Sequence, residues 1–250
     1  MAWRDRSEGF ERLLIVTAVF VAATLIFTLY TRDARWRTCS TAGPDARIET
    51  CTKIIESGYE PAGGLSRAYS NRGAALHRKG DAAHAMEDYD EALRLSPANS
   101  RALHNRGIVY GEQKQYDRAI EDFDRAIKLD PVYANAWNAR CWTRILMDQL
   151  PEAVDDCTES LRLRAEDGVT LGSRALAYLK LKQADEAIAD YTAALKTAPK
   201  NAASLFGRGL AKQIKGDASA TADIAAAQAL NTGVAKQFEQ YGVSAAASME

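Results

Sequence analysis

Apolar and polar positions fall into two regimes along this chain. From Leu13 to Tyr30 the sequence reads LLIVTAVFVAATLIFTLY, without a charge, between Arg12 and Arg32. As a helix, about 18 residues rise about 27 Å, close to the hydrocarbon thickness of a bilayer. Trp3, Phe10, Tyr30 and Trp36 stand near the two edges, where amphipathic rings settle. The run is longer than the apolar core of a secretory signal and ends in Leu29, Tyr30, Thr31 and Arg32 rather than in small residues. The spacing predicts an uncleaved transmembrane helix over 13–30 behind a flank at 1–12, with a cleaved signal as the alternative.

Downstream the pattern becomes periodic, with a repeat of 34 residues starting at Ser66, Ser100, Ala134, Gly168 and Ala202. Position 4 of each copy is large: Tyr69, Leu103, Trp137, Leu171, Leu205. Position 8 is small: Gly73, Gly107, Cys141, Ala175, Gly209. Position 20 is alanine in all five copies, counting a one-residue deletion in the last, and position 27 is small again. Position 24 is bulky in most: Tyr89, Phe123, Tyr191, Ile224. Small residues at 8, 20 and 27 let two antiparallel helices approach closely, and large ones at 4 and 24 fill the space between neighbouring pairs. Pro97, Pro131 and Pro199 stop the second helix. Each pair then buries the face its neighbour leaves bare.

This skeleton resembles the tetratricopeptide repeat from residue 66 to about 230. The fold expected is all-α: a tetratricopeptide-repeat superhelical solenoid of antiparallel helix pairs, preceded by one transmembrane helix. The repeats span 66–99, 100–133, 134–167, 168–201 and 202–231. Residues 31–65 make a linker and an N-terminal half-repeat cap, in which 45–57 (DARIETCTKIIES) aligns with a second helix and 58–65 is a flexible turn. Residues 232–250 make a capping helix and a frayed tail.

Composition narrows the function. Lys+Arg is 32 and Asp+Glu is 33, a net charge of -1, so no nucleic-acid partner is expected. No phosphate-binding loop, paired-histidine metal motif or calcium loop occurs in the sequence. His77, His84 and His104 read as solvated or hydrogen-bonded side chains. No catalytic residue, metal or cofactor is expected.

Two polar series also repeat. Arginine holds position 7 in Arg72, Arg106, Arg140, Arg174 and Arg208, and aspartate holds position 23 in Asp88, Asp122, Asp156, Asp190 and Asp223. Opposite charges in matched register predict an internal ladder of Arg–Asp bonds; a row of arginines for acidic ligands is the other reading. The resemblance implies that positions 2, 5, 9 and 12 of the first helices line a concave groove that takes a partner segment. Read onto this chain, the groove holds Arg67, Arg101, His104, Asn135, Asn138, Trp142, Leu176 and Phe206, basic at one end and apolar further on. A peptide with an acidic end and apolar anchors would suit it. The alternative is that Trp142, Leu176 and Phe206 pack within a tight superhelix.

Four cysteines allow three pairings. Cys141 at position 8 and Cys157 at position 24 lie at the same height on facing helices, and this repeat has exchanged both members of the small–large pair together. Cys51 falls at position 24 of the half-repeat, with Cys39 in the segment leading into it. Disulfides Cys39–Cys51 and Cys141–Cys157 are therefore expected, with buried free thiols as the alternative. Disulfides favour a periplasmic repeat domain; the arginines flanking the apolar run lean weakly toward a cytoplasmic one. The reading is a single-pass bacterial inner-membrane protein with periplasmic repeats, or else a secreted, periplasmic or cytoplasm-facing one. Its function is that of a non-catalytic interaction adaptor or assembly factor binding a protein or peptide; a structural, self-associating component of a membrane complex is the alternative.

Overall fold

The computed structural model describes residues 30–243, and before them only Thr17, Val19 and Val21. Apart from Thr17, Val19, Val21 and Tyr30, the expected transmembrane helix at 13–30 lies outside the described residues, as does the tail from 244 onward. Among the described residues, no helix is long and apolar enough to cross a membrane.

The chain divides into two compact units, the first ending at Pro97 and the second beginning at Ala98. The first holds a helical stretch at 30–41 (α1), then α2 (Pro44–Glu56), α3 (Ala62–Arg78) and α4 (Ala82–Leu95). The second holds α5 (Ser100–Glu112), α6 (Tyr116–Leu129), α7 (Ala134–Leu146), α8 (Leu150–Leu163), α9 (Gly168–Lys180), α10 (Ala184–Thr197), α11 (Ala202–Ile214), α12 (Ala220–Leu230) and α13 (Val234–Gln240). The stretch expected as a flexible turn at 58–65 is shorter than that, because α3 already starts at Ala62, directly after Pro61. Proline just ahead of a first turn lacks an N–H the helix could not have used, so it favours a start there.

Local chemistry sets the boundaries. Asp81, Asn99 and Asn201 accept the N–H of His84, Ala102 and Ser204, capping α4, α5 and α11. Pro44 and Pro151 sit in the first turns of α2 and α8. The turn inside each pair needs a left-handed residue at position 15, supplied by Gly80 (φ 85°) and Gly216 (φ 69°) but also by Lys114 (φ 60°), Asp148 (φ 61°) and Lys182 (φ 60°).

Within a pair the helices meet where position 8 faces position 24. A Cβ on Gly107 would stand 2.6 Å from the Phe123 ring, and one on Gly73 2.8 Å from the Tyr89 ring. Both rings are fully buried, each contributing roughly 1.5–3 kcal/mol by removal from water. In α7–α8 the same facing positions hold Cys141 and Cys157, both buried, with Cα atoms 5.4 Å apart and sulfurs at bonding distance, 2.03 Å. Cys39 and Cys51 likewise lie at bonding distance (2.05 Å, Cα atoms 5.0 Å apart), in a small core with Ile54, Ala68 and Trp36 that ties α1 to α2.

The Arg–Asp ladder is present in every pair. Arg72 forks onto Asp88 (2.9 and 2.7 Å), Arg106 onto Asp122 (2.8 and 2.8 Å), Arg140 onto Asp156 (2.8 and 2.6 Å), Arg174 onto Asp190 (2.7 and 2.9 Å) and Arg208 onto Asp223 (2.7 and 2.7 Å). All five aspartates are buried. Three arginines also reach back to position 25 of the preceding pair: Arg72 to Thr52 Oγ1 (3.1 Å), Arg140 to Asp124 (2.5 Å) and Arg174 to Thr158 Oγ1 (3.1 Å). The ladder thus bonds first helix to second within a pair, and at these three places pair to pair within a unit. Its arginines are engaged with these partners, which favours the internal ladder over a row for acidic ligands.

Candidate functional site

In the second unit the first helices α5, α7, α9 and α11 touch one another in succession, so their side chains share one face. Between α5, α7 and α9 this face opens into a cleft of about 560 Å³, mainly apolar. His104 and Ile108 come from α5, Asn138 and Trp142 from α7, and Val169 and Ser173 from α9, with Phe123 of α6 behind them. Gly111 leaves space at the edge: a Cβ there would meet only Thr143 Oγ1, at 4.0 Å.

The polar groups of the cleft are few. His104 is buried and wedged between rings, 5.0 Å from Tyr133 and 6.0 Å from Phe123. Burial pushes its imidazole below the ordinary value, so it is neutral at pH 7. The Nδ1 atom lies 3.1 Å from Asn105 Oδ1 and 3.3 Å from the Tyr133 hydroxyl. The Asn138 Oδ1 atom is buried and has no hydrogen-bond partner. An unmet buried acceptor costs roughly 1–3 kcal/mol. Val169, 70% exposed, is an apolar side chain held at the rim.

Beyond Trp142 the same face is covered. The Trp142 ring meets the Tyr241 ring edge-on, centroids 5.2 Å apart, and Phe206 lies 5.0 Å from Phe238 of α13. Leu176 and Phe206 are each 3% exposed, so they belong to the core and not to an open lining. This corrects the expectation for those two residues. Trp142, expected as an exposed anchor, is half-buried and shared between the cleft and α13.

Of the expected groove residues, the structure therefore brings together His104, Asn138 and Trp142. Arg101 is exposed outside the cleft lining. Asn135 is exposed and accepts a hydrogen bond from Arg164. Arg67 belongs to the first unit, where its guanidinium lies 4.8 Å over the Trp36 ring and lines a separate hollow with Arg32 and Arg37. The basic end expected for the groove is weakened further by the neutral His104. Ile108, Val169 and Ser173 were not singled out from the sequence. Ile108 stands at position 9 and Val169 at position 2, so the positional rule carried through every repeat reaches both; Ser173, at position 6, carried no such signal. Among the described residues, no group of three or more His, Cys, Asp or Glu is placed to hold a metal ion.

Family models of the tetratricopeptide repeat match residues 73–114, 100–133 and 170–201. No curated protein sequence matches the chain. Among solved structures, YrrB, described as a TPR protein with an unusual peptide-binding site, is 19% identical with a TM-score of 0.61, over 78% of this chain and 100% of its own. The pilF protein of Pseudomonas aeruginosa is 20% identical with a TM-score of 0.64, over 86% of this chain and 94% of its own. MamA is 23% identical with a TM-score of 0.58, over 68% of this chain and 94% of its own. At these identities the solved structures speak for the fold; the repeat models identify tetratricopeptide repeats within residues 73–133 and 170–201.

Proposed function

We propose that this protein is a non-catalytic interaction adaptor or assembly factor at a bacterial membrane, which takes a segment of a partner protein into the cleft between α5, α7 and α9. The observation that carries the reading is the unmet Asn138 acceptor beside an apolar cleft of about 560 Å³. A peptide offers both things this site lacks: a backbone N–H for Asn138 and an aliphatic or aromatic side chain for the space bounded by Ile108, Phe123 and Trp142. With His104 neutral, the cleft selects for shape and hydrogen bonding rather than charge. YrrB, of similar fold, is described as having a peptide-binding site.

The membrane attachment rests on the uncharged run at 13–30. The two cysteine pairs at bonding distance support an oxidising compartment, hence repeats on the periplasmic side. N-terminal sequencing of the membrane fraction tests the anchor; a mature chain beginning near Thr31 would remove it.

Affinity capture from detergent extracts tests the adaptor role. The unaltered chain should retain a foreign protein, and Val169→Asp, a change at an exposed rim position, should lose it while keeping the same helical signal. Retention of self-copies alone would replace the adaptor by a self-associating structural component.

A further inference from the structure

The last helix of the second unit departs from the repeat pattern. α13 meets α11 and α12, as a helix continuing the stack would. Tyr241, at its C-terminal end, reaches further, onto Trp142 of α7, a ring three repeats back, with centroids 5.2 Å apart and planes at 88°. The Phe238 ring lies 5.0 Å from Phe206 of α11. A Cβ on Gly242 would stand 3.9 Å from Lys180 Nζ of α9. The segment therefore packs on α11, and its end reaches Lys180 of α9 and Trp142 of α7, at the wall of the open cleft.

The chemistry of α13 is that of a docked ligand. Val234 and Phe238 are 0% and 2% exposed, and Tyr241 is half-buried, while Lys236, Glu239 and Gln240 face water. Apolar contacts thus fall at i, i+4 and i+7, one stripe of a helix. The Gln237 side chain donates to the Tyr241 hydroxyl at 3.0 Å and steadies that ring. Seven residues are too few to hold a helix alone in water, so α13 owes its form to the face beneath it. Asn231 to Gly233 tether it to α12 by three residues. A tether this short holds the segment at an effective concentration in the millimolar range, so it competes strongly with anything from outside.

We infer that α13 is a built-in occupant of the groove, and that the partner segment is an amphipathic helix of the same pattern, an aliphatic residue followed four and seven positions later by aromatic ones, which displaces it. This inference rests on the adaptor reading. The open cleft then takes the first turn of the incoming helix, whose N–H groups have no acceptor within the helix and can meet Asn138, and Trp142 is the wall shared by the resident helix and the newcomer.

The test uses the full chain and a fluorescein-labelled peptide of residues 231–243. The peptide should bind the Phe238→Ser/Tyr241→Ser double variant at least about tenfold more tightly than the unaltered chain. Equal binding to both, or binding to neither, overturns the inference. The unaltered chain supplies a second measurement that needs no folded variant. Excess unlabelled peptide should speed hydrogen exchange at the amides of Phe238 and Tyr241 and leave those of α5 unchanged; exchange unaltered at α13 overturns the inference. Partner capture separates the two readings. Equal capture by the unaltered chain and the double variant defeats the role given to α13 and keeps the adaptor. No capture by either, with the peptide binding as expected, defeats the adaptor and keeps α13 as the groove's occupant.

Discussion

The Arg106–Asp122 pair is the place to break the ladder. Arg106 Nε and Nη2 donate to Asp122 Oδ2 and Oδ1, both at 2.8 Å, and the side chains are 17% and 3% exposed. Arg106→Ala leaves a buried carboxylate with, among the described residues, Arg125 Nη1 as its remaining cation, at 3.8 Å and on a side chain that is 44% exposed. Removing one partner of a buried pair costs about 3–5 kcal/mol. Arg106 retains some contact with water and Arg125 offers partial compensation, so about 2–4 kcal/mol is expected, or roughly 5–15 °C in Tm for a chain of this size. The pair is screened little by solvent ions, so the loss should persist in about 1 M salt. Urea unfolding followed by far-ultraviolet circular dichroism measures the loss, and hydrogen exchange places it in α5 and α6, since repeat arrays open locally. The Arg106→Met/Asp122→Leu double variant distinguishes the cause. If the damage comes from an uncompensated charge, the apolar pair should recover to within about 1 kcal/mol of the unaltered chain. A single variant within about 0.5 kcal/mol of the unaltered protein, or a double variant as unstable as the single, would refute the reasoning.

Gly107→Ala should cost about 1–3 kcal/mol, because its Cβ would stand 2.6 Å from a Phe123 ring with nowhere to move, whereas Gly111→Ala should be neutral or stabilising in the same helix; equal urea midpoints for the two variants would contradict this. Protein alkylated without reduction, straight from cells, should show no modified cysteine by mass spectrometry, and Cys141→Ala/Cys157→Ala should lose about 3 kcal/mol; four modified cysteines would remove the periplasmic placement. Burial holds the His104 imidazole below its unfolded value, so its contribution is full above the unfolded pKa of about 6.5 and is lost as pH falls through the folded one. His104→Gln should therefore flatten the fall in Tm between about pH 7.5 and 5.5, and an unchanged slope would show that the ring is not held neutral.

The buried Asp156 shows what the arginine of its own repeat has to offset. Burial pushes its carboxyl above the ordinary value against the opposing pull of Arg140 and Arg144, both bonded to it. Two guanidinium groups there offset a desolvation that one ion pair would meet less completely.

The sequence by itself determined what lies within one helix pair or between adjacent ones. The 34-residue period, the facing of Gly107 on Phe123, the forks from position 7 to position 23 and the pairing of Cys141 with Cys157 all join residues about 16 apart across one turn. An antiparallel hairpin of fixed rise brings such residues level, so their spacing is enough to place them. The tertiary structure alone decided which part of the shared face stays open. That Phe206 is covered and that Trp142 is shared follow from where α13 and Tyr241 come to rest, and that Leu176 is buried while a cleft stays open at α5, α7 and α9 follows from how the assembled helices pack. The residues of α13 stand outside the period, so no register assigns them a neighbour. The contact of Tyr241 with Trp142 spans three repeats and is fixed by packing an apolar stripe onto a face whose width and curvature exist only once the helices are assembled.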